Sequence, residues 1–271
     1  MKAEAQASLV LTAILAETQA RMAARAPEQG EWERLAARAQ PAPPFASALR
    51  GDSVALIAEV KRRSPSSGAI RENADAMALA RQYVEAGAAA ISVLTEAQHF
   101  GGSLEDLMQV ARSVRVPTLR KDFVVDPIQV FEARAAGASA VLLIARALTD
   151  EQLQSLSALA RQIGLEPLIE VHALNELARA LAAEPAAIGV NARDLETLVV
   201  DPYVVGKVLP AVPAGIPAVA ESGLKVRADV ERVATTGADA VLVGTALAGA
   251  QDPAAAVKAL LGVKRRERTA Q

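Results

Sequence analysis

The sequence contains no cysteine. A disulfide scaffold, a thiolate nucleophile and a Cys-ligated zinc are thereby excluded. Histidine is nearly absent: His99 and His172 are the only two, too few for a His-rich metal site. Neither sign of charge prevails. Lys and Arg number 29 against 31 Asp and Glu, a formal net charge of −2, which gives no electrostatic reason to expect nucleic acid or an anionic membrane as partner. No apolar run approaches the roughly 18 residues that suggest a membrane-spanning helix. The apolar stretch Leu9–Ala16 is broken by Thr12, is followed by Glu17 and lacks a small-x-small cleavage site. It reads as an amphipathic helix rather than a signal peptide. The closing segment, VKRRERTAQ, is basic and reads as a fraying tail.

What the 271 residues do have is apolar bulk, 52% against 22% charged, enough for a large core without disulfides or structural metals. That bulk is organised as a repeat. Short apolar runs alternate with helical segments: Val54–Val60, Ala90–Leu94, Val116–Leu119, Ala140–Ile144, Pro167–Val171, Ala187–Val190, Pro217–Ala220 and Ala240–Val243. Several are continuously apolar, as suits parallel strands covered on both faces. Between them, segments such as ADAMALARQYVE and PIQVFEARAA place apolar residues three and four apart. The phrases AGAAAISV, AGASAVLL and TGADAVLV repeat one helix-end-to-strand junction around Gly87, Gly137 and Gly237. Pro127, Pro202 and Pro253 mark helix starts, and Asp75, Ser103 and Asp150 fit helix N-caps. Eight strand–helix units in about 250 residues predict a closed (β/α)8 TIM barrel, an α/β fold. An open doubly wound sheet is the alternative, but it would usually have fewer strands, and no G-x-G-x-x-G follows the first strand. The expected organisation is an N-terminal helical extension over 1–46, a barrel over 47–264 and a basic tail over 265–271.

In such barrels the active site lies at the C-terminal strand ends. The polar residues there include Glu59, Lys61, Lys121, Glu170 and Glu221, charges inside or just beyond apolar strands. An unpaired buried charge costs several kcal/mol, so five converging on one mouth need a reason. A structural ion-pair ring is one. Acid–base chemistry without metal or thiol is the other, and the number of charges favours it. The sixth strand end adds Asn191 and Arg193; the seventh and eighth add Ser222, Gly223, Gly244 and Thr245. Small residues and hydroxyls after the last two strands suit a phosphate, with Arg193 and Ser64 as further donors.

The phrases AEVKRRSPSSG, LTEAQHFGGSLEDL, LRKDFVVDPIQVFEARAAGASAVLLI, GLEPLIEVH, IGVNARDL and AESGL carry a resemblance. From about Pro43 to Gly262 the sequence closely resembles indole-3-glycerol phosphate synthases of tryptophan biosynthesis. The resemblance implies ring closure of 1-(2-carboxyphenylamino)-1-deoxyribulose 5-phosphate with loss of carbon dioxide and water, no metal, no organic cofactor and a cytoplasmic location. By that resemblance Lys121 is the general acid. Lys61 contacts the substrate carboxylate and takes part in dehydration. Glu170 is an acid or base, and its division of labour with Lys61 and Glu59 stays open. Glu59 and Glu221 line the site, while Asn191 and Ser222 position the substrate. Ser64, Arg193, Gly223, Gly244 and Thr245 form the phosphate-binding set. Phe100 and Phe123 are walls for the aromatic ring or ordinary packing. The expected partner is a phosphorylated small molecule, with any association with other tryptophan-pathway enzymes intermolecular. His99 stands before a single Phe where many members have an aromatic pair. His172 reads as a residue behind the site or on its loop, Met22, Met77 and Met108 as packing, and Trp32 as either a cover for the mouth or an anchor for a helix. Two other readings compete: a Schiff-base aldolase using Lys61 or Lys121 as nucleophile, and a non-catalytic barrel.

Overall fold

In the computed structural model, which describes residues 10–268, each of the eight apolar runs overlaps a strand. Two helices, α1 (Val10–Arg25) and α2 (Gln29–Ala37), and a single turn, α3 (Phe45–Ala48), precede the first of them. The barrel strands are β1 (Ala55–Val60), β4 (Ala90–Leu94), β5 (Thr118–Lys121), β6 (Ala140–Ile144), β7 (Glu166–Val171), β8 (Ala187–Asn191), β9 (Ala218–Glu221) and β10 (Ala240–Val243). All pair in parallel, in chain order, and β10 returns to β1 to close the ring. The open sheet is thereby ruled out. A small antiparallel hairpin, β2 (Arg63–Ser64) with β3 (Gly68–Ala69), stands in the loop after β1. It was not expected from the sequence.

Outside the ring lie α4 (Ala76–Glu85), α5 (Leu104–Ser113), α6 (Pro127–Ala135), α7 (Asp150–Gln162), α8 (Leu174–Ala182), α9 (Pro202–Val208), α10 (Arg227–Thr235), α11 (Thr245–Ala248) and α12 (Pro253–Leu260). Their starts follow local chemistry. The side chains of Asp75, Ser103, Asp126, Asp201 and Asp252 each accept a backbone N–H of the first turn. The prolines 127, 202 and 253 occupy first helical positions. Asp150 is not a cap: Thr149 caps α7 in a reciprocal box with Gln152, and Asp150 is the first helical residue. Gly87, Gly137 and Gly237 close their helices at positive φ.

The extension wraps the barrel from one end to the other. Leu11 and Ile14 of α1 reach the mouth formed by the strand C-termini. The half-buried Trp32 is not at the mouth; it lies on α2, which packs on α6, and its indole donates to Glu28. At the opposite end Phe45 and Leu49, both fully buried, cap the inner core of Leu119, Leu142, Leu168 and Val219. The N–H groups of Phe45 and Ala46 donate to Glu166 at the start of β7 (3.0 and 2.7 Å). The tail does not fray as far as Arg268. Arg265 and Arg268 both pair with Asp239 (2.7 Å each), and Arg268 also donates to the carbonyls of Val212 and Ile216. Leu9 and residues 269–271 lie outside the described residues. No helix among the described residues is long and apolar enough to cross a membrane.

Candidate active site

The inner barrel is apolar below its mouth and charged at it. Ile57, Leu119, Leu142, Leu168 and Val219 fill the interior. One step toward the C-termini, alternation along each strand turns Glu59, Lys121, Glu170 and Glu221 inward. Register brings them level: Glu170 stands beside Gly189, and Glu221 beside both Asn191 and Leu242. Two glycines make room for carboxylates. A methyl group at 189 would lie 2.2 Å from Glu221 Oε1, and one at 244 would lie 2.2 Å from Glu59 Oε1.

A cavity of about 800 Å³ opens at this end. All fourteen site residues named from the sequence line it: Glu59, Lys61, Ser64, Phe100, Lys121, Phe123, Glu170, Asn191, Arg193, Glu221, Ser222, Gly223, Gly244 and Thr245. At its centre the Lys121 ammonium lies 3.0 Å from Glu170 and 3.3 Å from Glu221. Burial alone would push that ammonium toward neutrality, but the charges of Glu170, Glu221 and Glu59 outweigh it and hold the pKa above the ordinary lysine value. The two carboxylates diverge. Burial favours the neutral acid at both. At Glu170 the Lys121 charge, His172 and the Asn191 amide prevail and hold it well below the ordinary range. At Glu221 burial and the neighbouring Glu170 charge prevail over Lys121 and push it up to about 8. One ionised and one protonated carboxyl beside an ammonium are an acid–base set.

To one side Lys61 lies 3.3 Å from Glu59 and 5.6 Å from the centroid of the Phe100 ring. The rings of Phe100 and Phe123 face each other at 6.2 Å, tilted by 44°. Glu96 folds this loop by accepting the N–H groups of Gln98, His99 and Phe100. On another side Arg193, Ser222, Gly223, Gly244 and Thr245 present donors. Ser222 (φ 67°) and Gly223 (φ 73°) are both left-handed, an uncommon and costly state for serine that bends the chain after β9. The Arg193 guanidinium donates to the Leu198 carbonyl (2.7 Å) and has no carboxylate partner among the described residues. Burial lowers its pKa, against the charge of Glu59.

Several contributors escaped the sequence reading. Leu11 and Ile14 arrive from the extension, while Leu142 and Ile144 supply apolar walls. His99 joins the extension too, its Nε2 3.1 Å from Glu17. Arg120, next to the central lysine, points away from the mouth, into buried pairs with Asp122 and Glu132 (3.0 and 2.8 Å). Met22 is buried, and Met77 and Met108 are half-buried on their helices. No group of three or more His, Asp or Glu among the described residues is arranged to hold a metal.

A closed parallel barrel with lysines and carboxylates at its C-terminal mouth, beside a donor-rich rim, defines an acid–base enzyme of the phosphosugar-barrel type. The family model described as indole-3-glycerol phosphate synthase matches residues 11–260, and the chain belongs to that family. It is 50% identical over 247 residues to "Indole-3-glycerol phosphate synthase 1" of Streptomyces coelicolor, covering 91% of this chain and 90% of that one. It is 48% identical over 229 residues to the indole-3-glycerol phosphate synthase of Mycobacteroides abscessus, covering 84% of each. Among solved structures, a thiamine phosphate pyrophosphorylase from Pyrococcus furiosus matches with a TM-score of 0.59 at 20% identity, over 76% of this chain and 93% of that one. At that identity the likeness shows the fold alone.

Proposed function

We propose that the mouth residues divide among themselves the work of the family reaction. In it, 1-(2-carboxyphenylamino)-1-deoxyribulose 5-phosphate closes to indole-3-glycerol phosphate, releasing carbon dioxide and water. The protein is accordingly a carboxy-lyase of tryptophan biosynthesis acting on a phosphorylated small molecule. The observation that carries the division of labour is the Lys121 ammonium held between Glu170 and Glu221 at the cavity centre.

Ring closure makes a carbon–carbon bond between the carboxyl-bearing aromatic carbon and the ketone carbon, and the ketone oxygen must gain a proton. Lys121 supplies it. The ring carries positive charge until carbon dioxide leaves; the electron pair of the broken carbon–carboxyl bond stays behind on the ring and neutralises that charge. Glu59 and ionised Glu170, both buried, stabilise that charge. Loss of the new hydroxyl as water then needs a proton on the oxygen and removal of one from the neighbouring ring carbon. Lys61 donates the first and Glu170 accepts the second. Phe100 and Phe123 flank the aromatic end, with Lys61 beside them for the carboxylate. Arg193, Ser64, Gly223, Gly244 and Thr245 take the phosphate, and Asn191 and Ser222 orient the chain between. On this reading the protein works in the cytoplasm, and any association with other enzymes of the pathway is weak and intermolecular.

The test is direct. The purified chain is incubated with the substrate under metal chelation, and indole fluorescence is followed. Signal should survive chelation and vanish in Lys121→Met, while the variant still binds substrate. Turnover of Lys121→Met within about tenfold of the wild type would remove Lys121 as the essential acid, since a general acid contributes about 10²–10⁴-fold. No signal from a wild type shown to be folded by circular dichroism would overturn the reading. Borohydride trapping with a carbonyl substrate would then decide for an imine-forming lysine.

A further inference from the structure

The chemistry proposed above leaves unused a buried imidazole that adjoins the acid–base centre. His172 lies just past the end of β7, its side chain 2% exposed and outside the cavity lining. Its Nε2 is 3.2 Å from Oε1 of Glu170, while the other oxygen of that carboxylate faces Lys121. Its Nδ1 is 3.7 Å from Oε2 of Glu176 on α8, and the His172 N–H donates to the same oxygen (2.7 Å). Behind Glu176 stands Arg146, from the turn after β6, 3.0 Å away, and behind Arg146 is Asp194 (3.1 Å) in the loop that carries Arg193. We infer that His172 is an imidazolium that keeps the Glu170 carboxylate ionised and aimed at Lys121, a positioning residue for the acid–base centre. The inference rests on the proposed role of Glu170.

Charge order supports it. With His172 protonated, Lys121, Glu170, His172, Glu176, Arg146 and Asp194 alternate in sign along one contiguous line. A neutral imidazole has one N–H and one lone pair. It would turn that lone pair toward either the buried Glu170 carboxylate or the half-buried Glu176 carboxylate, an unfavourable arrangement where water screens it little. The groups facing the ring are Glu170 from β7, Glu176 from α8 and Arg146 from the turn after β6. Burial and Arg146 oppose protonation, yet the two carboxylates prevail and raise the imidazole pKa to about 9. The carboxylate gains in turn: a cation on each oxygen leaves little reason for it to take a proton.

Two measurements test this, and only one needs turnover. With two histidines in the chain, ring resonances are assigned by comparing the wild type with His172→Gln. The His172 ring should titrate near pH 9, and Glu170→Gln should lower that midpoint by about a unit or more, because coupling between two sites is reciprocal. A midpoint at or below the ordinary histidine value of about 6.5 overturns the inference. In kinetics, His172→Gln, shown to be folded by circular dichroism, should lose about tenfold or more in kcat with little change in KM. Its acid limb in kcat/KM should move up by about one pH unit as Glu170 becomes easier to protonate. A residue that merely packs would lower the melting temperature and leave that limb in place, and an unmoved limb overturns the positioning role. Should the wild type form no indole product, the functional reading falls by itself. The carboxyl carbon-13 titration of Glu170, with and without His172→Gln, then replaces the kinetic limb.

Discussion

Gly189→Ala is the substitution on which the site geometry makes its sharpest demand. The added methyl would sit 2.2 Å from Oε1 and 3.3 Å from Cδ of Glu221, with the Cα of Glu170 3.7 Å away on another side. Comfortable heavy-atom contact is about 3.5 Å, so carboxylate and methyl must part by about 1 Å or more. Glu221 has nowhere easy to go. It is 2% exposed, and its other oxygen is 3.3 Å from Lys121. The β8 strand cannot retreat either, since it is hydrogen-bonded to neighbours on both sides. A misplacement of about 1 Å in a catalytic group costs about 10²-fold in rate, or about 2.7 kcal/mol of barrier. Overpacking a buried site costs a further 1–3 kcal/mol of stability, roughly. Each kcal/mol lowers the melting temperature by about 2–4 °C in a domain of this size. Fluorescence-monitored turnover and calorimetry measure both effects. In Gly189→Ala/Glu221→Asp the shorter acid vacates the contested space, so most of the lost melting temperature should return while turnover stays low. A Gly189→Ala protein that melts within 1 °C of the wild type and turns over within about twofold of it would show that Glu221 is not pinned, and the reasoning would fail.

Arg193→Ala should raise KM by about 10–100-fold with kcat far less affected, the worth of a charge-assisted hydrogen bond of about 1.5–3 kcal/mol; an unchanged KM would move the phosphate elsewhere. Because the Glu221 pKa is raised to about 8, its proton is held through neutrality and lost as pH rises through that value. The kcat/KM profile should therefore fall above about pH 8, and Glu221→Gln, which cannot ionise, should lack that limb even at reduced activity; a limb unchanged in the variant belongs to another group. The same sign applies to stability: the Glu221 contribution is complete below the ordinary carboxylate range and is lost as pH climbs toward 8. Phe45→Ala, at a fully buried site far from the mouth, should cost about 3–5 kcal/mol. A melting temperature lowered by less than 2 °C would mean that Phe45 is not part of the core.

The strand ladder was legible because parallel strands buried on both faces write themselves as apolar runs. The third strand shows the limit of that signal. Val116–Leu119 was the apolar run, but Pro117 has no N–H to donate and pairing begins at Thr118, so the strand extends through Lys121. The central lysine is therefore fixed inside a strand rather than carried on a loop. The inward charges were legible as well, since a charge in an apolar run is conspicuous. What was hidden is what several of them touch. His172 could be placed behind the site, yet nothing in the spacing shows that its ring meets Glu170 on one side and Glu176 on the other. Leu11 and Ile14 look like the buried stripe of any amphipathic helix; that they face the mouth depends on the path of the extension around the barrel. Arg265 and Arg268 looked like solvent-exposed charges because their partners, Asp239 and loop carbonyls, are displayed only once the barrel exists.

The seam between β1 and β10 bears on how the protein is made. β1, with Glu59 at its end, leaves the ribosome early, but one of its two neighbours is the last strand of the ring. At about 5–20 residues per second, roughly ten to forty seconds separate their synthesis. Over that interval the nascent chain carries a strand edge with no partner, the kind of edge that invites pairing with another molecule. The ring, and with it the level of charges at its mouth, comes into being only when the final repeat has been translated.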